Sequence, residues 1–415
     1  MKQSEYFIKT VKEVPADEVA INAQLLIRAG YIDKLMAGVY TYLPLGVRVL
    51  SKIKNIVREE MVKVGGDEVL MPALQPKSLW SETGRWDEIK DILFQFKGRG
   101  GADMCLGPTH EENVVAIART RVNSYKDLPF ALFQIQDKFR NEPRAKNGLL
   151  RGREFSMKDL YSFHTDVEDL RAYYEKVKKA YLNMYDRLGM PVIAVEASGG
   201  SFSKDFSHEF QTLTASGEDT IFHCDCGWAQ NKEIAKVKKG AKCPACKDGV
   251  VMMSKGIEVG NIFKLNQKYS KSMNLLFTNA EGKQDNVYMG CYGFGVSRAM
   301  GAIVEISHDK DGIIWPKNIA PFQIHLLSLG TDKKVLKDAE DVYKKLKDSG
   351  IDVLYDDRDE SVGMKLKEAD LIGIPIRLVV SNKTNGLIEY KERSSDEVRK
   401  VAVEDVIKLV KEYYA

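Results

Sequence analysis

Four of the six cysteines fall within 23 positions, as Cys224-Asp225-Cys226-Gly227 and, after 16 intervening residues, Cys243-Pro244-Ala245-Cys246. Thiolates that close together cannot spread apart without a metal, and tetrahedral Zn²⁺ suits them. The second pair has the usual knuckle spacing and the first is tighter. Counting from His223 restores a two-residue gap to Cys226, so His223 stands as an alternative ligand to Cys224. Such a site is closed and structural. Disulfides are a poor reading, because MKQSEYFIKTVKEV carries no apolar core and no small-residue cleavage site. Three other elements can handle anions. One is Phe139-Arg140-Asn141-Glu142, whose basic continuation reaches Arg151-Gly152-Arg153-Glu154-Phe155. Another is the Gly-rich segment 290–298, ending in Arg298. The third is the helix-to-strand junction at residues 65–72. A planar guanidinium can hold two oxygens of a carboxylate or phosphate. Each element alone equally fits solvated surface or a tight turn.

Residues 45–63 place Leu50, Ile53, Val57 and Met61 at helical spacing, and Gly65-Gly66 stops that helix before a short strand at 68–71. Residues 130–163 read as two strands joined by a long basic loop, an antiparallel hairpin. Residues 166–188 form an amphipathic helix with Leu170, Tyr173, Tyr174, Val177, Ala180 and Tyr181 on its buried side. Residues 284–306 predict a strand, a Gly-rich turn at MGCYGFG and a helix opening at Val296. Beyond Trp315-Pro316, strands and helices alternate over the last 95 or so residues, which predicts a three-layer α/β domain with a mixed sheet. The preceding part reads as α+β.

In order, the three anion-handling elements resemble the three motifs of class II aminoacyl-tRNA synthetases. Residues 106–112 (LGPTHEE), 256–263 (GIEVGNIF) and 289–298 (MGCYGFGVSR) narrow the likeness to prolyl-tRNA synthetases of the bacterial type. It runs from about residue 15 to the end of the sequence. The resemblance implies a catalytic domain on an antiparallel sheet over residues 1–319, with motif 1 at about 45–76, motif 2 at about 131–163 and motif 3 at about 286–306. A zinc-ribbon-like insertion occupies 222–255, and an anticodon-binding domain follows at 320–415.

The implied reaction joins proline's carboxylate to the α-phosphate of ATP and expels pyrophosphate. Its demands are positioning and fixed positive charge. By resemblance, Arg140 bridges α-phosphate and carboxylate, and Arg298 binds the γ-phosphate. Glu142 accepts from the adenine amino group, Phe155 stacks on the purine, and Arg151 or Arg153 reaches the phosphates. Glu209 and Gln211 are candidates for Mg²⁺, ribose or phosphate contacts. Thr109 and Glu111 hold the secondary ammonium of proline, while His208 and the backbone around Gly260 and Gly290–Cys291 wall its ring. Cys291 acts there as a small packing group, since the reaction needs no covalent enzyme intermediate. Arg358 and Lys365 are positioned for anticodon bases or phosphates, against the alternative of a salt-bridged loop. Asn261 stands where the family usually has His, which puts any proton role there in doubt.

The family's editing insertion of nearly two hundred residues has no room between motifs 2 and 3. The expectation is therefore mischarging with alanine, cleared by a separate deacylase, since missing methylenes discriminate by only about 1–3 kcal/mol. The motif 1 helix predicts a C2 homodimer. The implied partners are ATP with Mg²⁺, L-proline and tRNA(Pro), in the cytoplasm and without a membrane. Rival readings are a threonyl-type or other enzyme of the same subclass, a silent tRNA-binding paralogue that kept the fold, and a zinc-ribbon nucleic-acid-binding protein.

Composition bounds these readings. The 415 residues, 44% hydrophobic and 29% charged, exclude a mostly disordered chain. Net charge is only +3, from 62 basic and 59 acidic side chains, so a polyanion must be met by local patches and not by a global field.

Overall fold

The structure is a computed structural model that describes residues 1–14, 16 and 18–414. Two compact units make up the chain: residues 37–39 with 54–302, and residues 1–36 and 40–53 with 303–415. Helix α1 (Pro44–Lys63) opens on proline, whose missing N–H costs nothing in a first turn. It buries Leu45, Val49, Ile53, Val57 and Met61, one per turn. Gly65, at φ 90°, ends it in the left-handed region. Strand β1 (Gly66–Glu68) follows at once, two residues ahead of the expected position.

The first of the two units named is built on a nine-stranded sheet. Its elements are β1, α2 (Glu111–Arg119), β2 (Phe130–Phe139), β3 (Glu154–His164), α3 (Val167–Arg187), β4 (Ile193–Ala197), β5 (Ser207–Leu213), β6 (Asp219–His223), β7 (Ala229–Asn231), β8 (Met252–Asn266), β9 (Tyr288–Gly295) and α4 (Val296–Ile306). The strand order is β5-β4-β7-β6-β8-β9-β3-β2-β1, and β5 also pairs with β8, closing that end on itself. Pairing is antiparallel except β1–β2 and the single β4–β7 bridge. The predicted hairpin is β2 and β3, paired from Phe130↔Phe163 to Phe139↔Glu154. Helix α3 is capped by Asp166, whose side chain accepts from the Asp169 N–H.

The Gly-rich segment is not a turn. Residues 288–295 form β9, paired on both edges. Its glycines serve packing: a side chain on Gly290 would run into the Tyr292 hydroxyl and meet Ser162 Oγ at 2.8 Å. The helix does open at Val296.

The other unit contains a five-stranded mixed sheet. Its elements are β10 (Ile324–Leu329), α5 (Lys333–Asp348), β11 (Val353–Asp356), α6 (Val362–Ile372), β12 (Ile376–Ser381), β13 (Ile388–Glu392), β14 (Val398–Val401) and α7 (Val403–Tyr414). The order is β11-β10-β12-β13-β14, parallel for the first three and antiparallel after. The α/β alternation read from the sequence is realised element by element. Its core centres on Ile324, Leu326, Ile376 and Leu378, all fully buried.

Candidate active site

Strand alternation gives the large sheet two different faces. Toward α3 project Lys158, His208, Phe210, Tyr292 and Phe294. They meet Tyr174, Tyr181 and Tyr185 of the helix in close ring contacts, 4.9 Å for Tyr181–Phe210 and 5.6 Å for Tyr185–Phe294. The opposite face carries Phe155, Met157 and Asp159 of β3, Asn261 and Phe263 of β8, and Cys291 and Gly293 of β9. These line a cavity of about 400 Å³.

Arg140, just past the end of β2, and Arg298, in the first turn of α4, both line this cavity. Burial first, and then the charge of Arg298, lower the Arg140 pKa from its usual value. The Arg140 guanidinium lies 5.2 Å from the centre of the Phe155 ring, and its backbone N–H donates to the Arg153 carbonyl at 2.8 Å. Arg298 donates to the Glu258 carbonyl at 3.0 Å and lies 3.4 Å from its carboxylate. Arg151 bridges Glu142 at 3.0 Å and Glu218 at 3.2 Å, and all three line the cavity. Arg153 does not; it donates to the backbone carbonyls of Glu142 and Ala37.

At the other end Thr109 Oγ1 donates to Glu111 Oε2 at 2.6 Å, and the Cys291 thiol to Glu111 Oε1 at 3.3 Å. Burial pushes the Cys291 thiol well above its usual range, as an inert packing group requires. Arg85 was not singled out in the sequence. It is buried against both Glu111 (3.3 Å) and Glu112 (3.0 Å), with the rings of Trp80, Phe202 and Tyr269 at 5.0–5.6 Å. One guanidinium thus faces two carboxylates at this end of the cavity. The Asn261 Oδ1 is buried with no hydrogen-bond partner.

Behind the phosphate-sized end lies a group of carboxylates. Gln211 donates to both Glu209 and Asp219, and Asn231 to Glu209, at 2.7–3.0 Å. Burial first, then Glu258, pushes the Glu209 carboxyl up to about 7. Gln211 thus stands between the Glu209 and Asp219 carboxylates, bonded to both. Asp219 lies outside the motifs read from the sequence, while Glu258 and Asp159 lie inside GIEVGNIF and motif 2 without a role assigned to them there.

Two expectations need correction. His208 does not wall the cavity: it points to α3, where Nδ1 meets the Tyr174 hydroxyl at 2.8 Å and Nε2 meets Lys178 at 3.0 Å. Gly260 and Cys291 line the cavity, whereas Gly290 is not among the lining residues. In the C-terminal sheet, Lys365 is buried and donates to the backbone carbonyls of Ser328 (2.9 Å) and Asp356 (3.2 Å). Arg358 is clasped by Asp356 and Glu368 at 2.8 and 2.6 Å. Both side chains are thus engaged within their own domain, as the alternative of a salt-bridged loop describes.

The four cysteine sulfurs lie within 4.8 Å of one another, with Cys224–Cys246 at 3.9 Å and Cys226–Cys243 at 3.7 Å. Tetrahedral zinc with bonds of about 2.3 Å demands sulfur separations of roughly 3.8 Å. A disulfide needs about 2.05 Å. A Cβ on Gly249 would sit 2.5 Å from Cys224 Sγ, so glycine keeps this cradle open. The four thiols therefore fit zinc. His223 is not among them, because its Nε2 is taken by the Ser254 hydroxyl at 2.8 Å.

Residues 94–307 match the family model described as the tRNA synthetase class II core domain (G, H, P, S and T), and residues 319–413 match the anticodon binding domain. Fold and site together define a class II aminoacyl-tRNA synthetase. The solved structures agree in fold. The chain superposes on a prolyl-tRNA synthetase from Cryptosporidium parvum complexed with halofuginone and AMPPNP with a TM-score of 0.78, at 17% identity, covering 94% of this chain and 77% of that one. A Giardia lamblia prolyl-tRNA synthetase in complex with prolyl-adenylate gives 0.76 at 21% identity, covering 94% and 78%. Among sequences, the proline–tRNA ligase of Wolbachia pipientis wMel is 42% identical over 421 positions, 98% of this chain and 99% of the relative. That of Geotalea daltonii is 35% identical over 562 positions, 99% of each. The chain belongs to the proline–tRNA ligase family.

Proposed function

We propose that the chain activates L-proline with ATP to prolyl-adenylate and pyrophosphate, then transfers the prolyl group to the 3′ end of tRNA(Pro), in the cytoplasm. The observation that carries this is the meeting of Arg140 and Arg298 in one cavity whose far end holds the Thr109–Glu111 pair. In this reading Glu111 receives the secondary ammonium of proline with Thr109. Phe202, Phe263 and Cys291 surround the ring. Arg140 draws the proline carboxylate and the α-phosphate together. A carboxylate oxygen attacks phosphorus, and the bond to the β-phosphate oxygen breaks. Arg298 holds the departing pyrophosphate, with Arg151 at the rim. Phe155 stacks the purine on the face opposite Arg140, and Glu142 meets its amino group. Glu209 and Gln211 would meet the Mg²⁺ that accompanies ATP, or the ribose and phosphates themselves, and the ion would supply charge neutralisation at the phosphates.

Zinc, held by Cys224, Cys226, Cys243 and Cys246, would tie the ends of β6 and β8 together. Editing in cis is absent in this reading. The segment 224–255 is short, and the 562-position alignment with the Geotalea relative exceeds this chain by about 150 positions, while the Wolbachia relative is of this chain's length. A separate deacylase then clears alanyl-tRNA. A C2 homodimer is supported by exposed Val62, Leu70 and Leu74 around the motif 1 strand. Residues 320–415 serve the anticodon in the same reading. Proline-dependent ATP–pyrophosphate exchange tests it. Exchange with proline and none with threonine supports the assignment; exchange with threonine alone, or none with either, overturns it.

A further inference from the structure

Residues 232–247 hold six lysines and one acidic residue, +5 in sixteen positions of a chain whose total is +3. Lys232, Lys236, Lys238, Lys239, Lys242 and Lys247 are all exposed. None of the ion pairs among the described residues involves any of them. Over the whole insertion, residues 222–255, seven lysines stand against Asp225, Glu233 and Asp248, a balance of +4, and a tetrathiolate zinc at −2 would leave +2. The ordinary fate of a surface lysine is to alternate with acids, as elsewhere in this chain; here Glu233 is the single acid among six lysines.

The position of this charge matters. The ribbon grows from strands that line the cavity. Asp219 at the start of β6 and residues 256–261 of β8 line it, and Lys255 donates to the Glu218 carbonyl at 2.8 Å. The five residues of β6 set the first cysteine roughly 16 Å from the cavity at about 3.3 Å per residue. Between the knuckles the chain has little regular structure: after β7 it forms turns and one isolated bridge, Lys242↔Val250. Two knuckles thus pin a lysine-rich loop at the end of paired strands whose other end lines the cavity.

We infer that this lysine loop binds the phosphate backbone of the tRNA acceptor arm as its 3′ end enters the cavity. The inference rests on the proposed aminoacylation. Phosphate contacts of this kind give affinity and register without reading sequence. Three of them would change affinity roughly 40-fold between 50 and 200 mM salt.

The test uses the full chain with Lys236, Lys238 and Lys239 changed together to Ala, and a second variant with the same three changed to Arg. Binding of labelled tRNA(Pro), of an acceptor-arm minihelix and of an anticodon hairpin is followed across salt. The Ala variant should bind tRNA(Pro) and the minihelix at least about tenfold more weakly, with a salt slope flatter by roughly 0.9 for each phosphate no longer neutralised. The Arg variant should bind as the parent does, and hairpin binding should not change. Equal proline-dependent exchange in all three proteins shows that the fold is intact. Minihelix binding and salt slope unchanged in the Ala variant would overturn the inference and leave the loop to an acidic protein or to solubility. Loss of hairpin binding alone would overturn it as well. Failure of the parent to catalyse proline exchange sinks the aminoacylation reading, while the binding result still decides the role of the lysines.

Discussion

Replacing Arg85 by methionine removes the one cation that two buried carboxylates share. Glu111 and Glu112 are fully buried, and the Arg85 guanidinium touches both at 3.0–3.3 Å. Breaking a buried pair from one side costs about 3–5 kcal/mol. A second route gives the same size. The orphaned pair can escape by protonating one carboxyl, and burial already raises that of Glu112 above its ordinary 4.5. Forcing a proton onto a group of that reference value at pH 7.5, three units higher, costs about 4 kcal/mol. At pH 5.5 the same step costs about 1.4 kcal/mol, so the defect should shrink by nearly 3 kcal/mol on acidification. The sign follows from the raised carboxyl: the variant's folded state binds the proton more tightly than the unfolded chain does, so acid favours it. Urea unfolding at the two pH values measures this. Adding Glu112→Gln to Arg85→Met removes the surplus charge and should recover at least half the loss. A defect under about 0.5 kcal/mol, or one indifferent both to pH and to Glu112→Gln, would refute the charge argument.

Arg298→Met should lower proline-dependent exchange by roughly 10²–10³-fold, the usual worth of one preorganised charge, with unfolding little changed. Gly249→Ala should abolish stoichiometric zinc in protein purified without chelator, because its Cβ would meet Cys224 Sγ at 2.5 Å; full zinc content would contradict the cradle. His325 is buried and held down to about 4 by that burial. Its contribution to stability is complete above about pH 6.5 and is lost as the pH falls toward 4. Relative to pH 7.5, at pH 5 the parent should lose about 2 kcal/mol more than His325→Gln does. Alanyl-tRNA incubated with the purified protein should remain intact; rapid deacylation would contradict the absence of editing.

The fold was largely legible because each segment's hydrophobic period agreed with its tertiary role. The alternating strands and helices after residue 320 are the clearest case. MGCYGFG misled, since glycine there answers a packing demand across the sheet and not a turn. His208 could have been excluded from the sequence itself: if Glu209 and Gln211 face the site along a strand, residue 208 must face away. Arg85 and Asp219 were out of reach, because nothing local marks a residue that folding brings together with partners far along the chain. Lys365 shows the converse: a basic residue in a matching motif is recruited by two carbonyls of its own domain.

The two-faced sheet also limits how such a chain can change. Along β3, β8 and β9, neighbouring residues serve unlike ends, one row packing beneath α3 and the next confronting small molecules. Deleting a single residue within any of these strands would turn phenylalanines and tyrosines into the chamber and drive its polar lining beneath the helix. Gains and losses of length are therefore confined to where strands end, and substrate preference can drift only by exchanging one side chain for another at alternate positions.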